Sequence, residues 1–229
     1  LRYIDHLSSF IPKDIKTILD VGCGIGGNTE FLLNKGFSIE ALSPDNYQKS
    51  VIIKKFKKEV VFHHCKFEDF RPTTYCDLIL ESESACYIDI NKGFRKAREV
   101  LKDDGYLLVS DYFVFYRDDS KNLHLKSSHD LSKYLKSAEK NGFDLIKEYN
   151  QTDNTMLTLD YANYLVERFV NPTIDYGVFS LRKNYPRISK LIGQFTKKKW
   201  FEKKNQLDLI NSNLFRKYRK YMIYLFKKI

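Results

Sequence analysis

Residues 17–29, Thr-Ile-Leu-Asp-Val-Gly-Cys-Gly-Ile-Gly-Gly-Asn-Thr, leave this chain little choice of fold, because an apolar run passes into a helical pattern through glycines at 22, 24, 26 and 27. The run reads as a buried strand, the glycines as a tight turn, and the helix as starting near Asn28. Glycine lets the backbone come close to a ligand. The helix start adds unpaired N–H groups and the positive end of the helix dipole. A nucleotide-like ligand is therefore expected at this turn.

Gly22, Gly24 and Gly27 also satisfy the dinucleotide spacing G-x-G-x-x-G, so the turn alone leaves a nicotinamide cofactor and another adenosine-bearing one both open. Asp20 separates them. A carboxylate at the strand tip is unfavourable beside a pyrophosphate, whereas S-adenosylmethionine has no phosphate and offers an ammonium and a sulfonium to attract, directly or through water. The string Ile-Leu-Asp-Val-Gly-Cys-Gly-x-Gly resembles the first motif of class I S-adenosylmethionine-dependent methyltransferases. The resemblance runs over about residues 15–150 and returns at the last strand; it points to the small-molecule branch, similar to sterol and sarcosine/dimethylglycine-type enzymes. It implies an α/β fold with a Rossmann-like seven-stranded sheet, strands 1–5 parallel and 6–7 a hairpin. It also implies S-adenosyl-L-methionine as cofactor, S-adenosyl-L-homocysteine as product, and Asp20, Gly22, Cys23 and Gly24 as contacts.

Length and charge add bounds. At 229 residues with 43% hydrophobic and 15% aromatic content, the chain can bury one full core and carry an insertion. From Arg182 to Ile229 there are 15 Lys or Arg against Glu202 and Asp208, a charge of +13, and the rest of the chain sums to −3. Such a segment suits a solvated helical face, or an anionic partner, a lipid surface or RNA. Cys23, Cys65, Cys76 and Cys86 have no metal or disulfide spacing, which fits reduced thiols in a cytoplasm. His63 and His64 are adjacent and point to opposite faces of a strand, so both read as structural. The sequence opens at Leu1, and a preceding piece is expected outside it; no signal peptide and no apolar run near the ~20 residues of a spanning helix is present.

In chain order, Leu1, Ile4, Leu7 and Phe10 form a helical stripe before Pro12, expected to pack over the cofactor mouth or the sheet edge. Phe37–Leu42 makes the second strand, ending at Ser43-Pro-Asp-Asn-Tyr-Gln48. The family usually places a ribose-binding acid there; in this chain Ser43 stands in its place, so Asp45 or Asn46 reaches the ribose or Ser43 holds it, while also capping the next helix. Val60–His64 is the third strand. Lys66 replaces the family's adenine-binding acid, the Phe67 backbone remains a donor, and Glu68 and Asp69 read as surface residues. Cys76–Ile88 is an apolar strand ending in Glu81-Ser-Glu83-Ser-Ala-Cys-Tyr87, at the end where open α/β sheets bind ligands. There the resemblance implies Glu81 as a cofactor contact, Glu83 as the acid that orients or deprotonates the acceptor, and Tyr87 where a His often stands. The strand Tyr106–Asp111 brings Tyr112 to the ligand edge as a third catalytic candidate; His124 and His129 read as surface residues.

The strand at 143–151 and the alternating Arg219–Phe226 form the expected hairpin, interrupted by residues 153–216, which Pro172 and Pro186 should break into short helices. Residues 1–152 and 217–229 are then the cofactor domain and 153–216 a basic, aromatic-rich cap over the methyl end of the cofactor. Its Tyr161, Tyr164, Phe169, Tyr176, Phe179, Tyr185, Phe195, Trp200, Phe201 and Phe215 suggest a pocket for an apolar or ring-bearing small-molecule acceptor. Two other readings stay open: an RNA methyltransferase docking through the basic region, against which the Asn/Asp-Pro-Pro-aromatic motif is missing, and a silent partner subunit.

Overall fold

A computed structural model describes residues 3–115, 129–187 and 212–229. These fall into two compact units, the first from 3–115, 129–150 and 221–229 and the second from 151–187 and 212–220.

The first unit is a sheet with helices on it. In chain order its elements are α1 (Tyr3–Ser8), β1 (Thr17–Val21), α2 (Gly27–Asn34), β2 (Ser38–Leu42), α3 (Asn46–Phe56) and β3 (Val61–His63). Then come β4 (Cys76–Ser82), α4 (Ile90–Val100), β5 (Leu101–Val114), β6 (His129–Asp130), α5 (Leu131–Lys140) and β7 (Phe143–Asn150). The last strand, β8 (Arg219–Lys228), returns to the sheet between β5 and β7, giving the order β3-β2-β1-β4-β5-β8-β7. β1 pairs in parallel with β2 and β4, β2 with β3, and β4 with β5, while β7 and β8 are antiparallel. This is the Rossmann-like methyltransferase sheet the sequence implied. It carries one strand more than the seven expected, because His129–Asp130 adds a two-residue parallel pairing to Phe113–Val114 beside the main path.

Strand alternation sorts the core into two layers. Ile18, Leu78, Leu80, Leu108, Ile223 and Leu225 bury one face against Leu7 and Phe10 and against Leu32 of α2. Leu19, Val21, Ile79, Leu107 and Val109 bury the other against Phe94 and Ala97 of α4 and Tyr134 and Ala138 of α5. The stripe of α1 thus packs on the sheet, and α3 sets Ile52 and Phe56 against Ala41 and Val60.

At the opposite end from the glycine turn, Asp77 ties β4 to β1. One of its oxygens accepts from the Lys16 and Thr17 amides (3.0 and 2.8 Å) and the Thr17 hydroxyl (2.8 Å), and the other from Lys102 Nζ (2.6 Å). The Lys102 ammonium and the Thr17 and Lys16 donors outweigh desolvation and hold this carboxyl well below the usual range. A depressed pKa contributes stability above the ordinary value of about 3.8 that is lost as pH falls below it. Asp77→Ala is expected to cost about 2 kcal/mol at neutral pH, with the difference from wild type shrinking in urea unfolding below about pH 3.

In the second unit, α6 (Thr152–Leu165), a π turn (Val166–Val170) and α7 (Asn171–Asn184) follow one another, and α8 (Ser212–Tyr218) leads into β8. Pro172 does not separate two helices as expected. It sits in the first turn of α7 directly after the π turn, where the ladder is already irregular and its missing N–H is tolerated. Met156 of α6 and Phe215 and Tyr218 of α8 are buried, and Arg216 pairs with Asp153 at 3.1 Å. Residues 188–211, with Phe195, Trp200 and Phe201, and residues 116–128, with His124, lie outside the described residues. No described helix is long and apolar enough to cross a membrane.

Candidate active site

The glycine turn adopts its shape because three residues take a positive φ: Gly22 (72°), Gly24 (57°) and Gly26 (81°). The Gly22 and Cys23 amides both donate to the Leu42 carbonyl at the end of β2 (2.8 and 3.3 Å). On the other side Ser84 donates its hydroxyl to the Val21 carbonyl (2.6 Å) and presses against Gly22, where a Cβ would lie 2.4 Å from the Ser84 Cβ. The turn is therefore clamped between the ends of β2 and β4. At Gly24 a Cβ would meet nothing within 4 Å, so the backbone there is open to a ligand.

Over the turn lies a cavity of about 730 Å³, lined from the ends of β1, β2, β3 and β4. Its size is in the range of small-molecule sites, roughly 300–1,000 Å³. The glycine turn and Asn28 form one wall, and Ser43, Asp45 and Gln48 the next. Lys66, Phe67 and Glu68 form a third, and Ser82 to Ser84 with Tyr87, Ile88 and Tyr3 close it. Ser43 donates to the Gln48 side-chain oxygen (2.6 Å) and accepts from the Asp45 amide (3.1 Å). Asp45 caps α3 by accepting from the Gln48 amide (2.7 Å). Three carboxylates, Asp45, Glu68 and Glu83, face the cavity against the single ammonium of Lys66.

Of the residues singled out from sequence, Gly22, Cys23, Gly24, Ser43, Asp45, Phe67, Glu83 and Tyr87 line this cavity. Three do not. Asp20 is 1% exposed and lies beneath the turn, where its carboxylate accepts from the Thr29 hydroxyl of α2 (2.6 Å). It fastens the helix start to the strand, and burial pushes its pKa up to about 6. Glu81 points to the opposite layer, into a small separate cavity with Phe94, Leu107 and Tyr134, because it alternates with Ser82 along β4. Tyr112 is not among the lining residues; it lies two positions beyond the last pairing of β5 with β4 at Ser110, and its amide donates to Asp111 (2.8 Å). His129 is a structural partner, its Nε2 on the Ala85 carbonyl (2.8 Å) and its ring stacked on Tyr134.

Three residues were not legible as site residues. Glu68, read as a surface group, lines the cavity and accepts from the Asp89 amide (3.1 Å), holding the loop after β4 to the loop after β3. Its acid falls two positions after Lys66, which is the signal that was available. Tyr3 and Tyr221 form a hydroxyl network with β4 and β5. Tyr221 donates to Glu83 Oε1 (2.6 Å), and Tyr3 donates to Ser110 Oγ (2.8 Å) and bonds Ser82 Oγ (2.9 Å). The Glu83 backbone is held in the left-handed region (φ 57°), an uncommon state for a non-glycine residue, with its amide on the Ser110 carbonyl (2.8 Å).

These features fit S-adenosylmethionine better than a dinucleotide: open glycine backbone for close approach, hydroxyl and carboxamide groups beside it, and a lining whose negative excess disfavours a pyrophosphate. Fold and cavity together define a class I S-adenosylmethionine-dependent methyltransferase. Residues 2–158 match the model of the methyltransferase domain family, and the chain belongs to that family.

A search of curated proteins by sequence returned no match. Among solved structures the chain is similar to a cyclopropane synthase from Mycobacterium tuberculosis, at 15% identity and TM-score 0.70, over 98% of this chain and 82% of that one. It is similar to the geranyl diphosphate C-methyltransferase of Streptomyces coelicolor, solved with Mg²⁺, geranyl diphosphate and S-adenosyl-L-homocysteine, at 15% identity and TM-score 0.68, over 99% and 77%. It is also similar to the O-methyltransferase of a Brevibacillus brevis polyketide synthase multienzyme, solved with S-adenosyl-L-homocysteine, at 13% identity and TM-score 0.67, over 97% and 70%. At such identities the likeness is one of fold.

Proposed function

We propose that the chain transfers a methyl group from S-adenosylmethionine to an O, N or C nucleophile of a small metabolite, with the cofactor in the glycine-lined cavity. The observation that carries this reading is the cavity itself, a single space that joins the open backbone of Gly24 to Ser43, Asp45 and Gln48 and to Glu83 and Tyr87. When bound, the cofactor supplies an activated methyl on a sulfonium, whose departure leaves a neutral sulfur. The protein's work is then orientation and removal of one proton.

In this reading the turn amides and Asn28 receive the amino-acid portion, and Asp20 acts through the loop it fastens. Ser43, Asp45 and Gln48 receive the ribose, and the Phe67 backbone with Glu68 receives the adenine. Glu83 is the candidate group to orient or deprotonate the acceptor, since it carries the exposed carboxylate at the end of β4, and Tyr87, 76% exposed, offers a hydroxyl on the same wall. An apolar or ring-bearing acceptor is supported by the helical unit, whose Tyr161, Tyr164, Phe169, Tyr176, Phe179 and Tyr185 are exposed rather than spent on its own core. Nucleic acid is disfavoured by the carboxylates of the cavity. An anionic partner for the basic segment draws no support; six of its 15 Lys and Arg lie outside the described residues.

Calorimetry is expected to give micromolar binding of S-adenosyl-L-homocysteine, and absence of binding ends the reading. Incubating the protein with methyl-labelled cofactor and fractionated cell extract is expected to label small metabolites or lipid; label entering RNA or protein instead would reverse the choice of acceptor.

A further inference from the structure

Glu83 is held in an unusual way for a group at a cavity mouth. Its backbone keeps a left-handed conformation, and its carboxylate takes a 2.6 Å hydrogen bond from Tyr221, a β8 residue 138 positions later in the chain. Tyr221 is only 5% exposed, and it is hydrogen-bonded to Tyr3, a cavity-lining residue whose hydroxyl is bonded to Ser82 and Ser110. Burial raises the pKa of both phenols, so each stays neutral and Tyr221 serves Glu83 as a donor. Among the described residues no ion pair joins Glu83 to a Lys, Arg or His. The other charged residues of the lining, Asp45 and Glu68 against Lys66, leave the cavity with a negative excess of its own. A carboxylate fixed by phenols, strained at its backbone and without a cation is arranged to receive one from a ligand.

We propose that Glu83, held over the cavity by Tyr221 with Tyr3 beside it, favours the positively charged S-adenosylmethionine over the neutral-sulfur product S-adenosyl-L-homocysteine. Tyr221 and Tyr3 are its positioning residues. The inference rests on the reading that the cofactor occupies this cavity. Its consequence is an attraction that ends with the chemistry: once the methyl has left, the charge that Glu83 attracts is gone, and the contribution of this carboxylate to holding the ligand goes with it.

The test needs no acceptor. Calorimetric affinities of S-adenosylmethionine and S-adenosyl-L-homocysteine are measured on the full chain as wild type, Glu83→Gln and Tyr221→Phe, with melting curves to establish folding. The preference for the charged form is expected to fall about fivefold in Glu83→Gln and about two- to threefold in Tyr221→Phe, with product affinity changed by less than about twofold. In wild type the preference should also shrink between about 0.05 and 0.5 M salt, which a purely structural role would not produce. Tyr221→Phe removes one hydroxyl and keeps the ring, so it carries the test if Glu83→Gln fails to fold. An unchanged preference in the folded variants, with the product still binding, overturns this inference alone. Failure of wild type to bind the product overturns the reading of the cavity beneath it.

Discussion

Alanine at Gly22 is expected to lower stability by about 3 kcal/mol, whereas alanine at Gly24, two residues on, costs only about 1 kcal/mol. Both glycines have a positive φ, so each substitution carries the left-handed penalty of a side chain. They differ in what the new methyl meets. At Gly22 it collides with Ser84, whose hydroxyl is already committed to the Val21 carbonyl and cannot retreat without giving up that bond. At Gly24 it enters open space that belongs to the cavity. Urea unfolding and calorimetry should therefore separate the pair: Gly22→Ala loses stability and binding together. Gly24→Ala stays folded and weakens S-adenosyl-L-homocysteine by about tenfold or more, because the methyl occupies ligand volume. Equal losses of stability at the two positions would show that the turn is not clamped between β2 and β4 in the way described.

The second large effect concerns Glu81. Burial first, and then the Asp111 and Glu68 charges, push its carboxyl up to about 8, while Asp111 itself, mainly through burial, is raised to about 6. An acid whose folded pKa lies above its unfolded value of about 4.5 contributes no penalty while both states are protonated. The penalty grows as pH rises through the window between the two values and levels off above about 8. The full shift corresponds to about 4–5 kcal/mol. Asp111 titrates in the same range and takes up part of it, which leaves about 3 kcal/mol to Glu81. Wild type should thus lose about 3 kcal/mol more than Glu81→Gln between pH 5 and about 8.5 in urea unfolding of the cofactor-free protein. Parallel stability curves for the two would place the Glu81 carboxyl in contact with water.

The strands of the sheet and the location of the cavity could be read from the chain because each rests on local chemistry. The glycine turn, the apolar run of β4 and the alternation of residues 219–226 each specify an element without reference to distant residues. The side of the sheet on which a group emerges is a different matter. Asp20, Glu81 and Tyr112 all sit at strand ends that reach the ligand edge, yet a shift of one position along a strand sends a side chain to the opposite layer. Asp20 therefore goes under the turn to Thr29, and Glu81 into the core beside Tyr134. A strand tip marks the edge, and only register against the neighbour marks the face. Glu68 and Tyr221 escaped for another reason. Their partners, Asp89 and Glu83, are 21 and 138 residues away, and nothing in spacing or composition links them.

β8 completes the sheet from within, between β5 and β7, although it is the last of the described strands to be synthesised. Until residues 219–228 leave the ribosome, β5 and β7 each hold an open edge of unpaired amides and carbonyls, the kind of edge that recruits other chains. The nascent protein is thus most aggregation-prone until these residues emerge, and a chain that lacks them would be both adhesive and without the tyrosine that holds Glu83.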